Sequence, residues 1–297
     1  MKRLIVLGAN GMLGSEVVRI AELNSIPVVA ISRSSEVPFD AESMEFEQVA
    51  RKLGLSENDW LVNCIGWIPQ KSSGNKKEDE RLAGLLNTSL PAQISKAKAQ
   101  LGFNWIQIAT DCVFKGDRGN YWESDTKDAE DLYGLSKVAG EESSKGAIQI
   151  RCSIVGRDTR TSSGIYSWFK SAASKGPVKG YFNQHWNGVS ATAFARLSIG
   201  MLKNDWTTPV HQHWLPSDAV SKFELLELFA KSLELEPSAV TPVHAADSVN
   251  RILVTENQNA SDVLWELAGY SIAPSIDELC QEFIAADRKL GSTNEQK

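Results

Sequence analysis

The stretch that decides the fold is RLIVLGANGMLG, residues Arg3–Gly14 of a 297-residue chain. Its first five residues form a largely apolar run that predicts a buried strand, and helical periodicity follows over Met12–Leu23. Between these elements Gly8, Gly11 and Gly14 are spaced G-x-x-G-x-x-G. Glycines at this spacing allow a tight turn, let the backbone approach a diphosphate and let the helix pack closely on the strand. The stretch therefore predicts a dinucleotide-binding loop with the diphosphate at the helix N-terminus, and the alternative is a glycine-rich turn without a ligand.

Strand-like and helix-like segments alternate through the first half of the chain. Short apolar runs predict buried strands at Arg3–Leu7, Pro27–Ile31, Trp60–Ile65, Trp105–Ala109 and Ala147–Cys152. Helical patterns occupy Met12–Leu23, Asn87–Leu101 and Leu132–Lys145, and the polar stretch Lys71–Arg81 predicts an exposed loop that leads into a helix. This alternation predicts an α/β fold, a Rossmann-type doubly wound parallel sheet with helices on both faces.

Composition and charge exclude several classes of protein. The chain is 42% hydrophobic and 23% charged, which is ordinary for a globular protein, and its net charge is −6. No basic stretch is dense enough for a nucleic-acid partner, and no apolar run approaches the ~20 residues that span a membrane. The four cysteines are scattered and the four histidines form no cluster with them. We therefore expect a cytoplasmic protein in a reducing environment, without a metal site.

The end of the second predicted strand normally selects between NAD(H) and NADP(H). An acidic side chain there would bond the ribose 2′-hydroxyl of NAD(H). Here Ile31–Ser35 reads ISRSS, and the first acid is Glu36. A guanidinium at Arg33, assisted by Ser32 or Ser34, suits a 2′-phosphate. The sequence therefore favours NADP(H) over NAD(H) as cofactor, and the alternative is that Arg33 is a solvated surface residue.

Tyr133 and Lys137 stand four residues apart in LYGLSKVAGEE, so a helix places them on one face. Tyrosine, with an ordinary pKa near 10, can donate its proton to a developing alkoxide, and a neighbouring ammonium would lower that pKa. Thr110 directly follows the predicted strand Trp105–Ala109, where ligands of parallel sheets bind, and its hydroxyl can bond the substrate oxygen and the tyrosine. A Tyr–Lys pair alone is common in helices. Together with the glycine motif, these residues predict a hydride-transfer enzyme.

At these motifs the chain resembles the extended short-chain dehydrogenase/reductase superfamily, and within it dTDP-4-dehydrorhamnose reductase and related sugar-nucleotide reductases. The resemblance covers about residues 1–160 well and the rest loosely. The segments that carry it are GANGMLG (Gly8–Gly14), VNCIGW (Val62–Trp67), NTSLPAQIS (Asn87–Ser95), IATDCVFKGDRGNYWESD (Ile108–Asp125), YGLSKVAGE (Tyr133–Glu141) and IRCSIVGR (Ile150–Arg157). It implies an NAD(P)H-dependent reductase of a dTDP- or UDP-linked 4-keto-6-deoxy sugar in deoxysugar or surface polysaccharide biosynthesis.

The resemblance also implies roles for individual residues. Thr110, Tyr133 and Lys137 would form the catalytic triad, with Tyr133 as the proton donor. Tyr133 and Lys137 would also contact the cofactor, as would Ser32 and Arg33. The remaining implied cofactor contacts come from the glycine loop, the end of the third strand and two further positions: Gly8, Asn10, Gly11, Met12, Leu13, Gly14, Asp40, Cys64, Ile65, Gly66 and Asn87.

The nucleotide-sugar is expected to meet phosphate-binding arginines, aromatic walls and a carboxylate beside the threonine. The residues that we place on this substrate side are Trp67, Asp111, Arg157, Arg160, Trp186 and Asn187. The arginines have an alternative reading as surface charges, and the tryptophans as packing residues. The chain departs from the family pattern at three places near the expected substrate: Cys112, Lys71–Arg81 and Asn183–Ser190. These departures leave the identity of the sugar open.

The chain changes character after about residue 156, which suggests two domains. We assign 1–156 to an NADP-binding Rossmann domain with a returning segment at 187–214, and 157–186 and 215–290 to a smaller C-terminal substrate lobe. Residues 291–297 are expected to form a flexible tail. Helices are predicted at Ile165–Ala173, Ser190–Leu202, Ser217–Leu233 and Ile276–Leu290, and a loop or short strands at Lys175–Gly188. A homodimer is a possible assembly, since dimers are the commonest oligomers.

Two other functions stay open at this point. The first is an epimerase or dehydratase of the same fold. Dehydratases usually carry Asp-Glu directly after the threonine, whereas only Asp111 follows Thr110, and epimerases carry an acid where Arg33 stands. The second is a non-catalytic, NADP-binding regulatory subunit, because the same branch resembles the β-subunit of methionine adenosyltransferase.

Overall fold

A six-stranded parallel sheet forms the centre of the protein. The computed structural model describes residues 2–158, 164–207 and 211–294, with side chains described as far as residue 290. In chain order the strands are β1 (Arg3–Leu7), β2 (Val28–Ile31), β3 (Asp59–Asn63), β4 (Asn104–Ala109), β5 (Ile148–Arg151), β6 (Ile154–Val155), β7 (Val178–Tyr181), β8 (Gln184–Trp186), β9 (Val189–Ser190), β10 (His211–His213), β11 (Val220–Ser221), β12 (Val240–Val243) and β13 (Val249–Asn250). The central sheet has the order β10-β5-β4-β3-β1-β2, and every neighbouring pair is parallel. The predicted α/β fold with a parallel sheet is confirmed.

Helices connect most of these strands. They are α1 (Met12–Leu23), α2 (Phe46–Lys52), α3 (Lys76–Ala83), α4 (Leu90–Leu101), α5 (Leu132–Ser143), α6 (Ile165–Ala173), α7 (Ala191–Lys203), α8 (Lys222–Ser232), α9 (Gln258–Leu267) and α10 (Ile276–Asn294). Short 3-10 helices lie at Pro69–Lys71, Asp111–Val113 and Pro237–Ala239, and a π-helical segment, Gly84–Ser89, runs directly into α4. None of the helices within the described ranges is long and apolar enough to cross a lipid bilayer.

The sequence patterns miss two helices and misplace the ends of two others. They omit α2 and α9, because the seven residues of α2 and the three buried side chains of α9 are too few for a repeating apolar pattern. The predicted loop Lys71–Arg81 contains the start of α3, because the Asn75 side chain accepts the N–H groups of Lys77 and Glu78 as an N-cap. The last helix continues to Asn294, beyond its predicted end, since an existing helix gains one hydrogen bond for each residue that it adds.

Both faces of the central sheet are buried. Leu4 and Val6 of β1 belong to an apolar cluster that includes α1, α7 and α9, and Ile5 and Leu7 belong to a second cluster that includes α2 and α4. Successive side chains of a strand point to opposite faces, so β1 is covered on both sides, as the continuous apolar run predicts. Helices therefore hold the sheet in place, and its carboxyl edge is left for the loops that carry the motifs.

The C-terminal half adds three small sheets beside this edge. Their strand orders are β11-β8-β13, β12-β7 and β6-β9. A third apolar cluster, built around Tyr166, Phe229 and Phe283, packs α6, α8 and α10 against them. Strand β10 lies in the central sheet beside β5, although it comes late in the chain. The domain boundaries proposed from the sequence stay a prediction.

A buried charged network supports the β5–β10 edge of the sheet. Arg151, which is fully buried, donates to both carboxylate oxygens of Glu141 at 3.1 and 2.8 Å. Its other nitrogen lies 2.6 Å from Nε2 of His213. Because arginine can only donate, His213 accepts through Nε2 and donates from Nδ1 to the Val254 carbonyl oxygen at 2.7 Å. The network therefore requires a neutral His213.

This network predicts that the free energy of unfolding falls as the pH drops from about 6.5 towards 4. Burial, with Arg151 beside it, lowers the pKa of His213 below its ordinary value, and the same causes lower the pKa of His211 to about 4. The unfolded chain binds these protons near pH 6.5, so His211 removes about 1.4 kcal/mol per pH unit over that window, and His213 adds to the loss below pH 6.5. Buried carboxylates such as Glu141 have a lowered pKa, so they change the free energy of unfolding only below pH 4.5, the ordinary pKa of glutamate.

Urea unfolding between pH 7 and pH 5 measures this effect apart from the carboxylates. A His211→Gln variant should lose about half of the slope, because one of the two titrating groups is gone. An unfolding free energy that does not change over this range in the unsubstituted protein would contradict the prediction.

Candidate active site

The glycine loop joins β1 to α1 through positions that exclude a side chain. Gly8 has a φ of +76°, in the left-handed region, and its N–H donates to the Ile31 carbonyl oxygen at 3.0 Å. A Cβ on Gly14 would lie 2.2 Å from the Gly8 carbonyl oxygen, so α1 packs directly on the backbone of the loop. No side chain caps the first N–H groups of α1, because its N-cap is Gly11. The loop is therefore a backbone cradle of the kind that fits a dinucleotide diphosphate.

The other members of the loop divide between core and cleft. Leu13 is buried in the apolar cluster that includes α1, and Asn10 is half-buried. Met12, the first residue of α1, has its Sδ 3.6 Å from the point where a Cβ on Gly156 would lie. Only Leu13 is thus committed to packing, and the side chains of Asn10 and Met12 stay close to the start of the helix.

The end of β3 forms the floor beside the glycine loop. Cys64, Ile65 and Gly66 follow the strand, and the Cys64 N–H donates to the Leu7 carbonyl oxygen at 3.0 Å. A Cβ on Gly8 would lie 3.0 Å from Cγ1 of Ile65 and 3.1 Å from the carbonyl carbon of Cys64. Burial raises the pKa of the Cys64 thiol, so this side chain stays uncharged. The sheet thus brings the predicted floor residues into contact with the loop.

The end of β2 carries the side chains predicted to select the cofactor. Ser32, Ser34 and Ser35 form a tight turn in which the Ser32 N–H donates to the Ser35 hydroxyl at 3.0 Å and the Ser34 N–H donates to the Ser32 hydroxyl at 3.2 Å. Arg33 is exposed at the tip of this turn. Asp40 lies in the next turn, where its carboxylate accepts the N–H of Glu42 at 3.1 Å. The turn that carries Arg33 thus lies beside the glycine loop, since the N–H groups of Gly8 and Ala9 both donate to the Ile31 carbonyl oxygen.

Thr110, Tyr133 and Lys137 come together at the carboxyl end of β4. Thr110 is buried, and its hydroxyl donates to the Asp111 carboxylate at 3.0 Å and accepts the Cys112 N–H at 3.2 Å. Lys137 donates to the Ile108 carbonyl oxygen at 2.8 Å, which fixes its ammonium beside the strand. The Thr110 side chain is also close enough to Tyr133 to lower the pKa of the phenol, against the larger increase that burial causes. The structure therefore brings the three predicted catalytic residues together.

Burial dominates the proton affinities of this group. It raises the pKa of the Tyr133 phenol, and the neighbouring Cys112 adds to that increase, so the phenol keeps its proton at neutral pH. The sequence reading expects Lys137 to lower this pKa, but here desolvation outweighs any such effect. Burial also lowers the pKa of Lys137, and Glu141 opposes that decrease. The site therefore holds a protonated phenol, one helix turn from a lysine whose charged form is disfavoured by burial.

Asn87 ties the catalytic helix α5 to the end of β3. Its side-chain oxygen accepts the Trp67 N–H at 2.9 Å, and its amide donates to the Trp67 carbonyl oxygen at 3.0 Å and to the Ser136 hydroxyl at 2.9 Å. A Cβ on Gly140 would lie 2.0 Å from the Asn87 carbonyl oxygen, so α5 rests on the π-helical backbone. Buried Asn87, predicted as a cofactor contact, is thus saturated by protein partners, and any contact with the cofactor stays a prediction.

Two residues predicted to bind substrate lie beside the catalytic group. Asp111, which is buried, accepts the Thr110 hydroxyl. Trp67 is 5% exposed, and its Nε1 is buried without a hydrogen-bond partner among the described residues. Trp60, Trp105 and Trp214 share this feature, so it does not distinguish Trp67 as a ligand contact, and that role stays a prediction.

The other predicted substrate residues bind protein groups in this structure. The Asn187 amide donates to the Leu253 carbonyl oxygen at 2.8 Å and accepts the Leu253 N–H at 3.0 Å. Arg157 lies 3.5 Å from the Asp287 carboxylate, and Trp186 belongs to the apolar cluster around Phe229. Their substrate contacts stay predictions. The predicted residue Arg160 lies outside the described residues.

The structure adds one residue that the sequence patterns miss. The ammonium of Lys222, at the start of α8, lies 5.5 Å from the centre of the Trp186 ring. The Asp111 carboxyl raises the pKa of Lys222, against the decrease that burial causes, so the two groups are electrostatic neighbours. Lys222 directly follows the N-cap Ser221, in the first turn of α8, where acidic residues are favoured. A basic residue at such a position is the local signal that could have identified Lys222 from the sequence.

Comparisons with known proteins agree on one family and fold. The model of the RmlD substrate binding domain family matches residues 1–283. A dTDP-4-dehydrorhamnose reductase of Mycobacterium tuberculosis is 27% identical over 146 residues, which are 48% of this chain and 45% of that protein. The methionine adenosyltransferase 2 subunit beta of Xenopus laevis is 23% identical over 256 residues, 82% of this chain and 75% of that protein. The crystal structure of dTDP-4-dehydrorhamnose reductase from Bacillus anthracis in complex with NADP matches with a TM-score of 0.76 at 20% identity, covering 96% of this chain and 100% of that chain. The chain thus spans about half the length of the Mycobacterium reductase, and the structural likeness concerns the fold.

The close packing at Gly14 predicts the result of a paired alanine substitution. Gly14→Ala places a Cβ against the Gly8 carbonyl, so the loop must shift; we expect a loss of about 1–3 kcal/mol in unfolding free energy and a weaker dinucleotide affinity. Gly84→Ala, at a helical position with open space around it, should leave affinity unchanged and stabilise by up to about 1 kcal/mol. Thermal unfolding and NADPH titration of both variants test this, and equal behaviour of the two would contradict it.

Proposed function

The chain belongs to the RmlD substrate binding domain family, and from that premise we propose that it is a reductase of a dTDP- or UDP-linked 4-keto-6-deoxy sugar. The observation that carries the proposal is the meeting of Thr110, Tyr133 and Lys137 at the same edge of the sheet as the glycine loop. A proton donor and a dinucleotide cradle at one edge suit carbonyl reduction. The similar reductase of Mycobacterium tuberculosis supports the substrate class.

In this proposal the chain's own residues bind the carbonyl oxygen and protonate it. The phenol of Tyr133 holds its proton at neutral pH and donates it to the oxygen of the substrate as negative charge develops there. The Thr110 hydroxyl, which accepts the Cys112 N–H, would turn its single proton from the Asp111 carboxylate to the same oxygen. Lys137, fixed on the Ile108 carbonyl, supplies positive charge that stabilises the resulting phenolate.

We further propose that the cofactor is NADP(H). The glycine loop, with Gly8, Gly11 and Gly14, would hold the diphosphate, and Ser32 and Arg33 would hold the 2′-phosphate. When bound, the reduced nicotinamide supplies the hydride that reduces the sugar carbonyl. The structurally similar Bacillus anthracis protein is in complex with NADP and MoeE5 is in complex with NAD, so the neighbours support a pyridine dinucleotide, and the choice of NADP(H) rests on Ser32 and Arg33. The pathway that fits the substrate class is deoxysugar or surface polysaccharide biosynthesis, with a homodimer as the proposed assembly.

One observation favours a second candidate function. The methionine adenosyltransferase 2 subunit beta of Xenopus laevis aligns with a larger share of this chain than the Mycobacterium reductase does. A regulatory subunit would bind NADP(H) and a partner protein without turnover. The grouping of Thr110, Tyr133 and Lys137 supports the enzyme instead, because a regulatory role has no need of a proton donor beside the cofactor loop.

A tyrosine pair tests the proposed chemistry. Tyr133→Phe removes the phenolic proton and keeps the ring, so kcat for NADPH oxidation with dTDP-4-keto-6-deoxyglucose should fall about 10²–10⁴-fold while NADPH affinity changes little. Tyr181→Phe is the matched control, because Tyr181 is 41% exposed on β7 and should leave kcat unchanged. Full activity of Tyr133→Phe would refute the proton-donor role. NADPH binding without turnover on a panel of dTDP- and UDP-linked 4-keto sugars would favour the regulatory subunit.

Arginine substitution tests the choice of cofactor. Arg33→Ala removes the guanidinium proposed for the 2′-phosphate, so the Kd for NADPH should rise about tenfold while the Kd for NADH stays constant. Arg288 is an exposed residue of α10 that pairs with Glu234, so Arg288→Ala should alter neither dissociation constant. Calorimetric titration of both cofactors gives these values, and an equal change for NADPH and NADH would remove Arg33 from the specificity site.

A further inference from the structure

Lys222 holds an ammonium group that the chemistry proposed above does not use. It is the first residue of α8, and Ser221 before it forms a reciprocal capping box with Glu224. Strand β11 pairs antiparallel with β8, with Val220 opposite Trp186. Across this pairing the ammonium of Lys222 lies 5.5 Å from the centre of the Trp186 ring. The cap and the strand pairing together fix the backbone position of Lys222 and bring its side chain to the Trp186 ring.

This position is unfavourable for a lysine. A positive charge in the first turn of a helix opposes the helix dipole, and Asp or Glu would be stabilising there. The side chain is also half-buried, so it loses part of its hydration. Within the described residues Lys222 makes no hydrogen bond or ion pair, and the face of Trp186 attracts its charge without accepting all three N–H groups. Local rules are broken in this way most often at functional positions.

The small sheet that carries Lys222 lies beside the loop that follows Thr110, because β8 pairs with both β11 and β13 and the Asn250 N–H of β13 donates to the Gly116 carbonyl oxygen at 2.7 Å. Burial lowers the pKa of the Lys222 ammonium, and the strongest opposing influences are the Asp111 carboxyl and the Cys112 thiol. Arg251 is a nearby cation that lowers the pKa further. Its guanidinium is already engaged, since it donates to the Phe114 carbonyl oxygen at 2.8 Å. Lys222 therefore has unused donors beside the loop that follows Thr110.

We propose that Lys222 binds an oxyanion of the substrate and so fixes the nucleotide-sugar between the loop at Asp111 and strand β8. The inference rests on the proposed function for the identity of the ligand. An oxyanion would supply the direct anionic partner that the ammonium lacks among the described residues and would accept charge-assisted hydrogen bonds from it. The Trp186 ring would hold the lysine in place without competing for those bonds.

Two groups on a nucleotide-sugar could provide the oxyanion. One is the diphosphate bridge, which every dTDP- and UDP-linked sugar carries, and the other is a carboxylate on the hexose, which only uronic acid derivatives carry. Both groups accept hydrogen bonds from an ammonium through anionic oxygens, so Lys222 and its neighbours predict an oxyanion without selecting one of the two. Ligands that contain one group without the other separate the two sources.

Calorimetric titration of the full chain with four ligands tests the proposal: TDP, UDP, dTDP-glucose and UDP-glucuronate. Lys222→Met should raise the Kd about 10- to 100-fold, as expected for the loss of a hydrogen bond to a charged group. A loss shared by all four ligands assigns the diphosphate, and a loss confined to UDP-glucuronate assigns the carboxylate. Lys222→Arg should restore most of the affinity, since it keeps the charge and the donors.

Lys231→Met is the matched control on the same helix, because Lys231 is exposed and pairs with Asp277. It should leave every Kd unchanged. Thermal unfolding verifies that Lys222→Met is folded, and Lys222→Gln, which keeps two donors without charge, replaces it if it is not. Unchanged affinity in these variants for every ligand, or no binding of any ligand by the unsubstituted protein, would overturn the proposal.

These titrations also separate this inference from the proposed function. They record binding without turnover, so diphosphate affinity that depends on Lys222 can stand even where no 4-keto sugar is reduced. If the reductase activity is present, Lys222→Met should raise KM about as much as Kd and leave kcat nearly constant. The reason is that the lysine contacts a part of the substrate that is distant from the reacting carbonyl. A fall in kcat with KM unchanged would contradict a binding role.

Discussion

The close approach of α5 to the loops at the carboxyl edge of the sheet is the constraint on which the site depends. A Cβ on Gly140 would lie 2.0 Å from the Asn87 carbonyl oxygen, and a Cβ on Gly134 would lie 2.4 Å from the Cys112 carbonyl oxygen. At both points the helix therefore rests on backbone, with no room for a side chain. The π-helical segment Gly84–Ser89 makes the first contact, and such segments are frequent at functional sites. The helix is held where Tyr133 meets Thr110.

Burial at this contact sets the chemistry of the site. Packing of α5 against the strand ends leaves the tyrosine and the lysine half-buried, and this desolvation raises the pKa of the phenol and lowers the pKa of the ammonium. The Ile108 carbonyl and the Asp111 carboxylate fix the lysine and the threonine through direct hydrogen bonds. Preorganised donors in a desolvated site are effective in stabilising developing charge, and they are formed here by the fold itself.

Much of the fold, and the proximity of Thr110, Tyr133 and Lys137, could be predicted from the sequence, because their signals are local. The run Arg3–Leu7 and the glycines that follow it are contiguous, and the spacing of Tyr133 and Lys137 is set by one helix turn. The substrate side depends on contacts between distant segments, which no local pattern encodes. The bonds of Asn187 to the backbone of Leu253 are an example. The ammonium of Lys222 beside Trp186 is another, since it arises from strand pairing late in the chain.

Transfer of deuterium tests the central claim most directly. The protein would be incubated with NADPH that carries deuterium at C4 of the nicotinamide, on either face in separate reactions, and with dTDP-4-keto-6-deoxyglucose. Mass spectrometry of the product sugar then locates the label. A reductase at this site should deliver deuterium to C4 of the hexose from one face of the cofactor alone. A product without label from either face, or an isomerised sugar with the cofactor unchanged, would contradict the account.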